Sequence, residues 1–103
     1  MDKSSREKLH NKLLDIVENV YFQPPANIKL TYPCIIYRKT PGDRKHANDK
    51  AYIRAQGFTL TVIERDPDTP IANETLDSFS MISEGTSFTV DGLYHSQLTL
   101  YHY

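Results

Sequence analysis

The stretch from Phe58 to Pro70, FTLTVIERDPDTP, constrains the fold of this chain more than any other. In its first half, apolar residues alternate with threonine, a pattern typical of a strand with one buried face. Pro67 then ends the strand because proline cannot donate to a sheet ladder. Asp68 and Thr69 supply capping side chains directly before Pro70, as at many helix starts. The stretch predicts a strand, a tight polar turn and a helix capped by Asp68 or Thr69.

Two amphipathic helices are predicted, over residues 4 to 21 and over residues 70 to 80. In the first, Ser4 and Glu7 have the spacing of a capping box. Its apolar residues recur at helical spacing and mark one stripe: Leu9, Leu13, Ile16, Val17 and Val20. In the second, the apolar residues at positions i, i+4 and i+7 are Ala72, Leu76 and Phe79. Each helix is expected to pack its apolar side on a sheet.

Further strands are predicted on both sides of the opening stretch. The nearly continuous apolar run Cys34 to Tyr37 is typical of a strand buried on both faces. Cys34 is expected to be a small buried hydrophobe and not a reactive thiol. A short strand is predicted over Ala51 to Ala55, after a polar loop at residues 40 to 50. Near the C-terminus, Asp91-Gly92 is the strongest type of two-residue hairpin turn, joining strands Thr86 to Val90 and Leu93 to Tyr101.

The order of these elements predicts an α+β fold. Strands joined by short loops, with helices to one side, form an antiparallel sheet of four to five strands covered by two helices in the order α-β-β-β-α-β-β. The 103 residues are expected to form a single domain.

Composition excludes several function classes. The net charge of −1 gives no global field toward nucleic acid or acidic lipid. One cysteine excludes an internal disulfide. The polar N-terminus is not a signal peptide, and no apolar run approaches the ~20 residues of a membrane helix. We expect a soluble protein that is cytosolic when made, with no membrane association.

No catalytic or metal-binding pattern is evident. Four histidines are candidate metal ligands: His10, His46, His95 and His102. No pair has ligand spacing except His95 and His102, which are expected on opposite faces of one strand. Four carboxylates are the only candidates for a nuclease centre: Asp43, Asp49, Glu64 and Asp66. Glu64 ends a strand, as in such centres, but the usual lysine partner in that strand is missing. Glycine-rich phosphate loops and serine nucleophile motifs are also missing. The sequence therefore predicts a protein without catalytic residues, metal or cofactor.

The 40 to 50 loop, TPGDRKHANDK, is the best candidate for contact with another subunit or a partner. It is either a solvated hairpin tip or a segment that orders when it meets a partner. The residues singled out for such contacts are Arg44, Lys45, His46, Asp49, Lys50 and Tyr52.

The wider hairpin at residues 38 to 54 supports an alternative function, as a small nucleic-acid-binding module. Its basic residues are interleaved with Tyr37 and Tyr52, as on a surface that holds phosphates and stacks on bases. The same charges equally suit an edge hairpin that discourages aggregation between strands.

Five segments, taken in order, resemble a known family. They are Tyr21 to Pro25 (YFQPP), Tyr32 to Tyr37 (YPCIIY), Ala47 to Tyr52 (ANDKAY), Val62 to Ile71 (VIERDPDTPI) and Asp91 to His95 (DGLYH). Their order and spacing are similar to those of small tail-completion proteins of long-tailed bacteriophages and prophages, in particular the tail terminator or neck class.

The resemblance implies a non-enzymatic structural protein with an α+β fold and no cofactor. Such a protein assembles as a ring, usually a hexamer, on the last ring of the tail tube. It stops polymerisation and presents a surface to the head-tail connector or head completion protein. It would be found in the host cytoplasm during assembly and then in the tail or neck of the virion. A ring that caps a DNA conduit also places side chains toward the passing DNA.

Overall fold

The computed structural model describes residues 5–44, 56–68 and 70–102, which form an α+β fold. The elements are α1 (Ser5–Leu14), β1 (Val20–Phe22), β2 (Cys34–Arg44), β3 (Gln56–Glu64), α2 (Ile71–Ser78), β4 (Ile82–Val90) and β5 (Leu93–His102). The predicted class and the order α-β-β-β-α-β-β are confirmed, although the first strand is one that the sequence pattern assigned to a helix.

The five described strands form one sheet in the order β1-β2-β3-β5-β4. The pairs β2–β3, β3–β5 and β4–β5 are antiparallel. The pair β1–β2 is parallel, so the sheet is mixed and not purely antiparallel as predicted. A parallel pair needs a connection that crosses back along the sheet, and the chain between β1 and β2 provides it.

The first helix is shorter than predicted. It ends at Leu14 and not at residue 21, and Ile16 N–H donates to the carbonyl of Leu13 in the turn that follows. Val20 then pairs with Ile35 of β2. β-Branched and aromatic residues suit a strand, and the pairing gives their backbone groups partners in the sheet. The helical spacing of apolar residues therefore predicted the helix correctly only as far as Leu14. Beyond it, pairing with β2 decides the structure of Val20–Phe22.

Both helices pack on the same face of the sheet, which holds the hydrophobic core. The buried core residues are Leu9, Leu13, Val17, Ile35, Tyr37, Phe58, Leu60, Val62, Ile71, Leu98 and Leu100. The predicted alternation in β3 is confirmed, because Thr59 and Thr61 are only half-buried on the opposite face. On that face the connector lies against β1, where Thr31 N–H donates to the hydroxyl of Tyr21 over 3.1 Å. Among the described elements, helices cover the core face of the sheet and not the other.

The strand β2 continues further than predicted. Residues 40–44, expected in a loop, extend β2, and Arg44 pairs with Gln56 after a register shift. The spacing of Gln56 and Gly57 before Phe58 predicts a bend or bulge; these residues pair in register with His102 and Tyr101 of β5, and the shift relative to β2 falls between Gln56 and Phe58. The rest of the predicted loop and the strand predicted over residues 51 to 55 lie outside the described residues.

The β4–β5 hairpin has the predicted turn but a longer first strand. Asp91 and Gly92 have φ angles of 53° and 76°, as a two-residue turn with two left-handed positions requires. The strand β4 begins at Ile82 and not at Thr86. It contains a register shift between Glu84 and Ser87 opposite β5, which the alternation of side chains alone did not reveal.

Candidate interaction surface

The six residues predicted to contact a partner are mostly outside the described part of the chain. Arg44 lies at the end of β2, where its backbone pairs with Gln56 of β3. The other five lie outside the described residues: Lys45, His46, Asp49, Lys50 and Tyr52. Whether this segment meets a subunit or a partner stays a prediction.

Glu64, the carboxylate whose place at a strand end suggested a nuclease centre, lies at the junction between β3 and α2. It is only 6% exposed at the end of β3, and its side chain accepts a hydrogen bond from the backbone N–H of Ile71 in the first turn of α2. Burial raises the pKa of Glu64, the bond from Ile71 opposes that rise, and the charge of Asp66 adds to it. Glu64 therefore joins the end of the strand to the start of the helix.

The predicted cap of α2 is wrong for Asp68. Pro70 occupies the N-cap position without a capping side-chain bond, and the backbone N–H of Asp68 instead donates to Oδ1 of Asp66 over 2.8 Å. Thr69 lies outside the described residues. Because Glu64 reaches the first turn from β3, the helix start depends on a tertiary contact and not on a local cap.

Cys34 is fully buried. Burial raises the pKa of its thiol to about 11, so the thiolate that reacts with electrophiles is strongly disfavoured. The prediction of a small buried hydrophobe is confirmed.

Three histidines are described, and each has its own aromatic neighbour. His10 Nδ1 lies 2.7 Å from the hydroxyl of Tyr37, and the His95 ring stacks on Phe88 at 4.8 Å. The ring of His102 forms a T-shaped contact with the ring of Phe79, the residue that follows α2. Within residues 5–44, 56–68 and 70–102, no three His, Cys, Asp or Glu side chains are grouped to hold a metal ion. Neither described helix is long and apolar enough to cross a bilayer.

The basic hairpin offers exposed charge but not the expected aromatic ring beside it. Arg38 and Lys39 are exposed on β2. Tyr37, however, is fully buried, with its ring centroid 4.9 Å from that of Phe22 and 6.0 Å from that of Phe58. It is therefore committed to the core and cannot stack on a base. Tyr52 lies outside the described residues.

The strand β4 forms one edge of the described sheet, opposite the edge formed by β1. It pairs only with β5 and ends the strand order, and every side chain from Ser83 to Val90 is exposed. Natural edges are usually protected by charges, prolines or bulges. Here Glu84 and the adjacent register shift protect the first half. The second half, Ser87 to Val90, is regular, uncharged and rich in strand-forming residues.

Apolar side chains are concentrated beside this unprotected edge. Phe88 is 39% exposed, Val90 46% and Tyr94 36%. We call these three residues the hairpin patch. Phe88 and Val90 lie on the face of the sheet opposite the helices, while Tyr94 lies on the helix side, so that the patch surrounds the end of the hairpin. Exposed apolar groups next to an open strand edge are typical of a protein contact.

Sequence reasoning recognised this hairpin as structure but missed it as a surface. The available signal was the SFTV sequence before Asp91-Gly92, which combines β-forming residues with no charge. Its exposure depends on the strand order, which places β4 at the edge.

Comparison with known proteins adds no assignment. No model of a protein family matches the chain, and no curated protein matches it.

Proposed function

We propose that this protein is a non-enzymatic structural protein that caps the tail tube of a long-tailed phage or prophage. In this role it assembles as a ring of identical copies, ends tail polymerisation and joins the tail to the head connector. The observation that carries the proposal is the open edge of β4, uncharged from Ser87 to Val90, beside the hairpin patch, because a ring requires each copy to offer its neighbour an extended surface.

The edge strand supports assembly through its backbone. Unpaired N–H and C=O groups along an edge can be satisfied by a strand of another chain, which supplies main-chain hydrogen bonds in register. The regular half of β4, from Ser87 to Val90, is fully exposed. This segment lacks the charges that usually protect an edge strand, and pairing with another subunit would cover it.

The order of sequence segments supports the phage assignment. The YFQPP segment spans the end of β1 and the start of the connector, YPCIIY leads into β2, and VIERDPDTPI joins β3 to α2. These segments occupy the junctions of the fold, where a family of similar proteins would retain its pattern. The remaining partners follow from the same resemblance: a hexameric ring, the tail tube protein below it, the connector or head completion protein above it, and DNA passing through it. The protein would act in the host cytoplasm and remain in the neck of the virion.

A tail-assembly assay tests this function. Tails assembled without the protein should be irregular in length and fail to join heads, and added protein should restore both. The variant Phe88→Ser should fold, because Phe88 lies outside the hydrophobic core and is 39% exposed, yet should restore neither property. The matched control is Leu14→Ser, which alters a residue that is 43% exposed on α1 and should behave as wild type. Tails of uniform length that join heads without the protein would contradict the proposal.

A further inference from the structure

The charges of this chain are divided between its two parts. All 12 Lys and Arg residues lie within residues 1–65, together with seven of the 13 Asp and Glu residues. Residues 66–103 hold the other six acidic residues and no Lys or Arg. The near-zero net charge therefore conceals a strongly uneven distribution.

The fold converts this division along the chain into two charged sides of one sheet. Residues 1–65 contain β1, β2 and β3, whereas residues 66–103 contain α2, β4 and β5. Because the strand order is β1-β2-β3-β5-β4, the described cations Arg38 and Lys39 of β2 lie toward one edge of the sheet, whereas α2, β4 and β5 bring acidic residues and no Lys or Arg toward the other. One cation crosses this division, since Nζ of Lys12 lies 4.9 Å from the centre of the Phe79 ring, directly after α2. Four strand spacings separate β1 from β4, about 19 Å. This exceeds the Debye length of about 8 Å at physiological salt, so the two sides act as separate poles.

The poles carry exposed charges at matching heights. On the acidic side, Glu84 and Asp77 are exposed. Glu84 pairs across to Leu98, Leu98 to Leu60, and Leu60 to Tyr37. Exposed Arg38 and Lys39 directly follow Tyr37 in β2. They also line, with Gln23 and Pro24, a cleft of about 420 Å³ at the end of β1. A second copy moved sideways across the strands brings Glu84 of one copy toward this basic corner of the next.

We propose that copies of this protein associate head to tail, with the acidic β4 side of one copy against the basic β1–β2 side of the next. Like sides repel, so a symmetric contact of β4 with β4 is disfavoured. The strands β1 and β4 run in opposite directions, so at this height Val20–Phe22 of one copy lies antiparallel to the segment from Glu84 to Ser87 of the other, beside the hairpin patch. The register shift in that segment interrupts regular pairing, so the joint is a contact between two sides and not an unbroken sheet. Such a heterologous contact closes a ring or extends a filament. The inference rests on the proposed assembly and names the surfaces that would carry it.

The charges are expected to set orientation and rate more than affinity. Exposed ion pairs contribute little individually, but unlike potentials steer encounter and suppress wrong pairings. Affinity then comes from the β4 edge and the hairpin patch. Association should therefore be favoured at low ionic strength and lost at about 1 M salt, where the Debye length is about 3 Å.

A charge-exchange experiment tests the proposal. Variant A, Asp77→Lys/Glu84→Lys, makes the acidic side basic, and variant B, Arg38→Glu/Lys39→Glu, makes the basic side acidic. Association is measured by sedimentation and by zero-length carbodiimide cross-linking at low salt. Wild type should associate, each variant alone should stay monomeric, and an equimolar mixture of A and B should recover the wild-type mass, because unlike sides meet again at every joint.

Controls show whether a loss of association comes from the charges of the two sides, from the change in net charge or from unfolding. Asp15→Lys/Asp68→Lys and Lys8→Glu/Arg65→Glu change net charge by the same amounts as A and B at exposed positions away from β4 and from Arg38 and Lys39, and each should associate as wild type. Thermal unfolding of every variant verifies that it is folded. Monomeric wild type at low salt, association of A or B alone, equal loss in the controls, or a monomeric mixture of A and B would each overturn the proposal.

The same samples distinguish other occupants of the basic side. If wild type retains a short DNA duplex, variant B does not, and the A and B mixture stays monomeric, the basic side binds nucleic acid and the proposal is overturned. The proposed interface and the proposed function can also be rejected independently of each other. Recovered association in the mixture together with normal tails lacking the protein would retain the interface and reject the phage function. The reverse result would retain the function and reject the interface.

Discussion

The hydroxyl of Tyr37 lies 2.7 Å from Nδ1 of His10 and joins the buried centre of the sheet to α1. Arg6 also hydrogen-bonds to Tyr37. A guanidinium can only donate, so the Tyr37 oxygen accepts from Arg6 and its own proton is directed at neutral His10. Two side chains one helical turn apart on α1 therefore share one tyrosine of β2, which fixes how the helix lies on the sheet.

Replacing Tyr37 with Phe tests this tie. The ring still fills the core, but Arg6 and His10 lose their shared partner. The variant Tyr37→Phe should lower the free energy of unfolding by about 1 kcal/mol, the usual net contribution of a hydrogen bond. Denaturant titration measures the change, with Tyr94→Phe, which alters a ring that is 36% exposed on β5, as the control. A Tyr37→Phe variant as stable as wild type would show that the two bonds contribute nothing to stability.

Protonation of His10 should weaken the same contact. Burial lowers the pKa of His10 from 6.5, and the charge of Arg6 lowers it further. The native state therefore favours neutral histidine. As the pH falls below 6.5, the unfolded chain takes up a proton that the native state resists, so stability declines until the lowered pKa is reached. The free energy of unfolding, measured from above pH 6.5 downward, should fall more steeply for wild type than for His10→Gln, whose side chain cannot titrate. Parallel curves would contradict this.

Glu64 is expected to have the opposite dependence on pH. Its pKa is raised from the ordinary value of 4.5, first by burial, so the native state resists the charged form. Above the raised pKa the charge reduces stability, and as the pH falls through that pKa toward 4.5 the reduction disappears.

Two substitutions separate the charge of Glu64 from its hydrogen bond to Ile71. Glu64→Gln keeps an acceptor for the Ile71 N–H and removes the charge, so at pH 7 it should be as stable as wild type or more stable. Glu64→Ala removes the acceptor and should cost about 1–3 kcal/mol, because the start of α2 loses its partner. The measurement is chemical unfolding at pH 7 and near pH 4. If Glu64→Gln lost as much stability as Glu64→Ala, the prediction that the buried charge of Glu64 lowers stability at pH 7 would be wrong.

Cys34 should be protected from thiol reagents in the native protein. Its side chain is fully buried and its pKa is raised to about 11, so both access and thiolate formation are suppressed. Mass spectrometry should find little modification of native protein near pH 8 and complete modification in denaturant. Modification of the native protein as fast as that of the denatured chain would contradict the buried position.

The hairpin turn shows what local sequence chemistry is able to determine. Asp91 and Gly92 both have positive φ, and Asp-Gly is among the few pairs that accept two such positions. The turn was therefore predictable from two residues. The alternation in β3 was predictable for a similar reason, since successive side chains of any strand point to opposite faces.

The start of α2 shows the limit of that approach. Asp68 has a side chain suited to capping, but its backbone N–H is bonded to Asp66 and Pro70 occupies the N-cap position. The group that reaches the helix is Glu64, which lies in another element. No local pattern identifies a cap that is positioned by a strand.

The sequence by itself determined the class of the fold, because periodicity and turn chemistry act between neighbouring residues. It also determined the division of charge between residues 1–65 and 66–103. Only the tertiary structure decided that Val20–Phe22 leaves the helical pattern to pair with β2, and that β4 ends the strand order. Pairing depends on which strands meet across long stretches of chain, and that decides which edge stays open. A division of charge along the chain becomes two charged sides only because the sheet places its C-terminal strands together.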